Sequence, residues 1–83
     1  MNKILEMIKE FLETDTTDAT RFSIDLEDAL YDNYDEMMDE NPEVTEVLNE
    51  ELPDICAAYE LGEDIEEFKK RIKKEYEKAL VLM

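Results

Sequence analysis

Five aspartates in the middle of the chain follow alternating three- and four-residue steps: Asp25, Asp28, Asp32, Asp35 and Asp39. In an α-helix, residues at this spacing lie within an arc of about 80° and repeat about every 5 Å along the axis. Exposed carboxylates at that repeat approximate the phosphates of a nucleic-acid strand. This row of carboxylates could therefore bind a cationic surface, and a merely solvated acidic face is the simpler alternative.

Acidic and basic residues are segregated along the sequence. The 83 residues include 25 Asp and Glu against 9 Lys and Arg, which gives a formal net charge of −16. No basic residue lies between Arg21 and Lys69, whereas 18 of the acidic residues do. Like charges three or four residues apart destabilise a helix. A purely solvated surface without a binding role does not explain this cost. We expect a cationic protein partner, and no direct binding to nucleic acid or to a membrane.

Further contact residues are expected near this row. Tyr31 and Tyr34 are its neighbours in the sequence, and three acidic residues surround Pro53. The sequence does not rank these two groups against each other. The predicted partner-binding set therefore contains Asp25, Asp28, Asp32, Asp35, Asp39, Tyr31, Tyr34, Glu50, Glu51 and Asp54.

Residues suited to catalysis or metal binding are few. The chain has no His, so the usual general base and the commonest metal ligand are both missing. Cys56 is the only thiol and is expected to be buried, and Ser23, outside any phosphopantetheine attachment motif, is expected on a helix surface. The acidic segment from Asp32 to Glu36 lacks the central Gly of a calcium loop. We predict a protein that is not an enzyme and has no cofactor or metal.

Apolar residues recur at helical spacing in four segments, which predicts helices over residues 2–13, from Asp18 to Glu40, after Asn41 and after Asp64. Asn41 is expected to cap the third helix and Gly62 to end it. Pro53 lies inside that third helix and should kink or split it. The predicted fold is all-α, a small antiparallel bundle of about four helices in a single domain, residues 1–83.

The two ends of the chain are predicted to be helical. Residues 1–12 contain no apolar stretch as long as a signal peptide or a membrane span, so we expect a cytoplasmic location. The last three residues, Val81, Leu82 and Met83, are apolar and are expected to pack within the chain, with a dimer contact as the alternative. We expect a monomer or a weak homodimer.

Several short segments occur in a characteristic order along most of the chain. They are Ile4-Leu5 with Ile8 and Phe11-Leu12, then Arg21-Phe22-Ser23, then Leu52-Pro53-Asp54-Ile55-Cys56-Ala57-Ala58-Tyr59-Glu60, then Asp64-Ile65-Glu66-Glu67-Phe68. This order resembles the colicin D type of bacterial immunity protein. The resemblance implies a helical protein that binds the cationic active-site cleft of a toxic tRNA-cleaving domain, including toxins of contact-dependent systems, and occupies the place of tRNA.

The residues leave two other functions open. An acidic nucleic-acid mimic could inhibit another basic target, such as a restriction enzyme, a CRISPR effector or a DNA-binding regulator. A non-catalytic scaffold could instead self-associate through its basic last helix and its apolar C-terminal residues. All three interpretations describe a binding protein without turnover.

Overall fold

Five helices make up most of the part of the chain that the structure describes. The computed structural model describes residues 2–15 and 18–83. The helices are α1 (Asn2–Glu13), α2 (Thr20–Asp32), α3 (Tyr34–Glu40), α4 (Pro42–Glu60) and α5 (Ile65–Val81). No strand occurs in these described residues. The predicted all-α bundle is confirmed, with one helix more than the four expected.

Helix α4 is the element against which most of the others pack. It contacts α2, α3 and α5, whereas α1 packs against α2 and α5. All five helices contribute fully buried apolar side chains, among them Ile4, Ile8, Leu26, Met37, Leu48, Leu52, Phe68 and Ile72. Burial of each such side chain contributes about 1.5–3 kcal/mol. The apolar face of each amphipathic helix is therefore its contact with the core.

Aromatic rings from four helices form a cluster in this core. Phe11 of α1 stacks on Phe22 of α2, with ring centroids 4.0 Å apart and planes 5° from parallel. The Phe68 ring of α5 meets these two rings edge-on, at 5.7 and 6.2 Å. The Tyr59 ring of α4 lies 4.6 Å from Phe68. This cluster joins α1, α2, α4 and α5.

A break at Asn33 divides the segment that the sequence predicts as one second helix. Asn33 has φ −107° and ψ 8°, and its backbone N–H and its side-chain Nδ2 both donate to the Ala29 carbonyl, at 3.0 and 2.8 Å. An Asn side chain that bonds to the backbone competes with regular helical hydrogen bonding. The prediction of a single helix to Glu40 is wrong, because α2 ends at Asp32 and α3 begins at Tyr34.

Pro53 lies inside α4, which runs from Pro42 to Glu60 without interruption. A proline in a helix interior costs about 3 kcal/mol because it removes a hydrogen bond and crowds the preceding turn. Leu52, Ile55 and Cys56 are nonetheless all buried beside it. Their burial offsets the cost of the proline. Of the two predicted outcomes at Pro53, the split is therefore wrong, and the kink stays a prediction.

The two ends of α4 agree with the sequence signals. The Asn41 side-chain oxygen accepts a hydrogen bond from the Val44 backbone N–H at 3.2 Å. Gly62 has φ 114°, and its N–H donates to the Tyr59 carbonyl at 3.0 Å. A residue with a side chain rarely adopts that φ, so Gly suits the position that ends the helix. The predicted cap and stop are confirmed.

Ser23 and Cys56 are both fully buried. The prediction for Cys56 is confirmed, and the prediction of a surface hydroxyl at Ser23 is wrong. The Ser23 hydroxyl donates to the Thr20 carbonyl at 3.0 Å, which satisfies its polar atom within α2. A small hydroxyl that bonds to its own helix can therefore lie on the buried face.

The apolar C-terminal residues lie on the surface. Val81 is 84% exposed and Met83 is 60% exposed. The prediction that these residues pack within the chain is wrong, because the side chains of Val81, Leu82 and Met83 are all exposed. Among the described residues, no helix combines the length and the apolar character needed to cross a membrane.

The Tyr59 hydroxyl links α4 to the start of α2 by accepting a hydrogen bond from the Ala19 N–H at 2.9 Å. Ala19 is fully buried, so Tyr59→Phe would leave that N–H without its acceptor. We expect the free energy of unfolding to fall by about 1–2 kcal/mol in urea denaturation followed by circular dichroism. Tyr31→Phe is the control because Tyr31 is 85% exposed, and we expect it to change nothing. Equal stability of the two variants would contradict this role of Tyr59.

Candidate protein-binding surface

The predicted acidic row lies on the solvent side of α2 and α3. Asp25, Asp28 and Asp32 belong to α2, Asp35 and Asp39 belong to α3, and all of them are exposed. The buried residues of these two helices lie on other faces. The row is exposed, as its spacing predicts. It follows two helices with a break between them, and the predicted single straight helix is absent.

Asp25 differs from the other carboxylates of the row. Its Oδ2 lies 3.3 Å from Nε of Arg21, in an exposed ion pair one turn apart. The remaining four aspartates of the row form no ion pair with any residue that the structure describes. A cationic partner would therefore meet uncompensated charge from Asp28 to Asp39.

Two exposed tyrosines flank the break between α2 and α3. Tyr31 is 85% exposed and Tyr34 is 42% exposed. Together with Asp32 and Asp35 they line a shallow depression of about 320 Å³. Tyrosine combines an apolar ring with a hydroxyl, and it is enriched among the residues that dominate protein interfaces. The break thus places two potential anchors beside two carboxylates.

The acidic residues around the proline of α4 do not form one group. Glu50 and Asp54 are exposed and lie one turn apart. Glu51 is instead half-buried and lines a cleft of about 310 Å³ with Arg71 and Lys78 of α5. The structure therefore places Glu51 among basic residues, away from the side of α4 that carries Glu50 and Asp54.

Glu27 of α2 and Glu60 of α4 form a contact that the sequence analysis did not identify. Partial burial and the Glu60 carboxyl raise the pKa of Glu27. Burial, with the charges of both glutamates, raises the pKa of the Cys56 thiol to about 12. The thiol is therefore protonated near neutral pH and is a poor nucleophile. The only sequence signal for this contact is that Glu27 borders the apolar face of α2.

Two glutamates near α5 are held by basic residues of that helix. Glu75 is 4% exposed and its Oε1 lies 3.1 Å from Nζ of Lys78. Oε2 of Glu63 lies 2.9 Å from a terminal guanidinium nitrogen of Arg71. In each pair the glutamate is compensated by a basic residue of the same chain, so these carboxylates are not available to a partner. Within the described residues, no three His, Cys, Asp or Glu side chains are grouped so that they could hold a metal ion.

Comparison with protein families, curated proteins and solved structures finds no match to this chain. Its function is therefore inferred from the charge, exposure and shape of its own surfaces. The name acidic face refers below to the four aspartates of the row that form no ion pair and to the two exposed tyrosines beside them: Asp28, Tyr31, Asp32, Tyr34, Asp35 and Asp39.

The pKa shift of Glu27 makes stability depend on pH in a defined direction. A carboxyl whose pKa is higher in the folded state binds more protons there, so stability falls as the pH rises through that pKa. Asp18 has the opposite effect, because hydrogen bonds from Thr20 lower its pKa in the folded state. Its contribution to the free energy of unfolding is therefore present at neutral pH and is lost only as the pH falls through that lowered pKa. We expect stability to rise as the pH falls from about 7 toward the raised pKa of Glu27.

Glu27→Gln tests the source of this pH dependence. The Gln amide is uncharged and can donate to the Glu60 carboxylate, so the variant should be more stable than the parent near neutral pH. Its stability should also change less over the same pH range in urea denaturation. Glu46→Gln, at an exposed position of α4, is the control and should keep the parent's pH dependence. An unchanged pH dependence in Glu27→Gln would contradict this assignment.

Proposed function

We propose that this protein is an immunity protein that binds and neutralises a toxic tRNA-cleaving nuclease domain. In this proposal the acidic face occupies the cationic active-site cleft in place of tRNA. The observation that carries the proposal is the exposed row of unpaired carboxylates with Tyr31 and Tyr34 at its centre. The resemblance to colicin D-type immunity proteins supports the same partner class.

The nuclease supplies a matching surface because it must hold the phosphates of tRNA. Lys and Arg are the side chains that neutralise phosphates, so a tRNA-cleaving cleft is cationic whatever its catalytic residues are. Carboxylates that repeat along α2 and α3 can pair with the same groups. An inhibitor of this kind needs only to fill the cleft with the opposite charge.

The carboxylates and the tyrosines contribute to binding in different ways. Complementary potentials speed association, which protects a cell that makes the toxin before the toxin can act. The rings of Tyr31 and Tyr34 add contact area that slows dissociation. A carboxylate that becomes a desolvated hydrogen-bond partner of Lys or Arg also slows dissociation, and each is worth about 2 kcal/mol or more.

Inhibition of this kind requires no chemistry from the inhibitor. The Cys56 thiol is buried and protonated, and the Ser23 hydroxyl is buried and donates to its own helix. Neither group is placed to attack a substrate. We therefore propose binding without turnover, and the protein alone should not cleave tRNA.

Asn substitution of Asp28, Asp32 and Asp35 together tests the acidic face. The proposal predicts that a toxic nuclease domain is encoded beside this protein's gene. The assay measures tRNA cleavage by that domain over a range of inhibitor concentrations. We expect the variant to require a concentration about tenfold higher or more, because each lost carboxylate weakens the pairing with Lys or Arg. Relief of repulsion one turn apart should leave the helical circular dichroism unchanged.

The control changes the same amount of charge on another helix. Glu6, Glu10 and Glu13 are exposed on α1, and their joint replacement by Gln should leave inhibition within about twofold of the parent. An equal loss in both triple variants would mean that only net charge matters, and would contradict a site on α2 and α3. Failure of the parent to inhibit the neighbouring nuclease would contradict the immunity function itself.

Tyr31→Ala and Tyr34→Ala test the proposed anchors separately from the charges. We expect each variant to dissociate faster from the same nuclease domain while its association rate stays close to that of the parent. Surface plasmon resonance measures the two rates. The exposed Leu61→Ala is the control, because Leu61 lies in the turn between α4 and α5 and should contribute nothing. Changes confined to the association rate would contradict the anchoring role.

A further inference from the structure

Helix α5, which packs against α1 and α4, carries a second candidate surface. Its residues follow three- and four-residue steps along one side of the helix. With Leu12 of α1 they line a groove of about 570 Å³. The α5 stripe consists of Glu66, Lys69, Lys70, Lys73, Tyr76, Glu77 and Leu80.

The charged residues of the α5 stripe have no ion-pair partners among the residues that the structure describes. Nζ of Lys69 lies 5.9 Å from the centroid of the Phe11 ring, which is its one recorded contact. Arg71 and Lys78 lie on other sides of α5 and are paired with glutamates of the same chain. The stripe therefore presents both signs of charge to the solvent without internal compensation.

We propose that the α5 stripe binds a second copy of this chain, with the two α5 helices antiparallel about a twofold axis at Lys73. In this register Lys69 of one copy faces Glu77 of the other, and the pair occurs twice. Lys70 faces the ring of Tyr76, also twice, in a cation–π contact. The register therefore pairs opposite charges at Lys69 and Glu77 and places Lys70 against an aromatic ring, while Glu66 faces Leu80 and the two Lys73 residues face each other.

The mixture of charges favours a second copy over a uniformly acidic partner. A polyacidic peptide or an anionic membrane would meet Lys69, Lys70 and Lys73, but it would also meet Glu66 and Glu77. In the proposed register an antiparallel copy meets Lys69 with Glu77 and Glu77 with Lys69, whereas a uniformly acidic partner would place like charges against Glu77. Exposed apolar residues at the end of the helix, Leu80 among them, add area that association can cover.

Repulsion between two chains of charge −16 opposes this dimer but does not exclude it. The molecule measures 34 × 21 × 17 Å, and charges in water are screened over about 8 Å at physiological salt. Repulsion between acidic residues that lie farther than this from the α5 interface is therefore weakened. The Lys73 side chains meet at the axis, where their long stems let the ammonium groups separate into the solvent. We expect a weak dimer.

This proposal is independent of the immunity function, because it uses no residue of the acidic face. Its test needs only the purified full-length chain. Sedimentation equilibrium over a range of concentrations gives the dimer dissociation constant. We expect the parent chain to be a concentration-dependent dimer at physiological salt.

Charge reversal at the proposed contact provides the decisive variants. Lys69→Glu and Glu77→Lys should each raise the dimer dissociation constant about tenfold or more, and the double variant should return to within about threefold of the parent. The two residues are more than two helical turns apart in one chain, so they cannot compensate each other within a copy. Recovery would therefore report a contact between copies.

Two further variants separate this contact from general charge effects. Lys9→Glu makes the same change in net charge at an exposed site of α1 and should leave dimerisation unchanged. Lys73→Gln removes the like charges at the axis and should lower the dissociation constant. Circular dichroism checks that each variant keeps its helices.

Three results would overturn the proposal. One is a chain that stays monomeric up to its highest soluble concentration. Another is a double variant that remains as weak as the single variants. The third is a monomeric parent that binds phosphatidylserine vesicles or a polyglutamate peptide through Lys69, which would assign the α5 stripe to an anionic ligand.

Discussion

Burial of apolar side chains around α4 is the interaction on which the rest of this structure depends. The chain carries a net charge of −16, and repulsion between its acidic residues opposes any compact state. The aromatic cluster of Phe11, Phe22, Tyr59 and Phe68 joins four helices against that repulsion. Because the core holds the helices, the carboxylates of the acidic face can stay exposed and unpaired. Mutual repulsion on the surface is thus tolerated because the interior is well packed.

The break at Asn33 connects local structure to the proposed site. The Asn33 side-chain Nδ2 donates to the Ala29 carbonyl, and Asn33 lies between the end of α2 at Asp32 and the start of α3 at Tyr34. Tyr31 and Tyr34 stand on either side of this break and share a depression with the adjacent aspartates. The two rings add apolar contact area at the centre of the acidic face, which steering by charge does not provide.

Much of the fold could be predicted from spacing and from helix-end signals. Helix α1, the Asn41 cap and the Gly62 stop depend on local chemistry, and each is confirmed. The position of the helix break could not be predicted in the same way. Pro53 has the stronger intrinsic tendency to interrupt a helix, but burial of its neighbours keeps α4 continuous, whereas at Asn33 a side chain that bonds to the backbone accompanies the break.

The candidate site could be predicted only for residues whose exposure is determined by the helical phase of their own segment. Exposure of the aspartates follows from helical phase. The separate position of Glu51 and the contact between Glu27 and Glu60 depend on how helices pack across long sequence separations, which periodicity does not encode. Nuclear magnetic resonance of the labelled chain bound to the proposed partner, a tRNA-cleaving toxin domain, tests the central claim most directly. We predict that amide signals change mainly from Asp28 to Asp39, whereas changes confined to α1 or α5 would contradict binding through the acidic face.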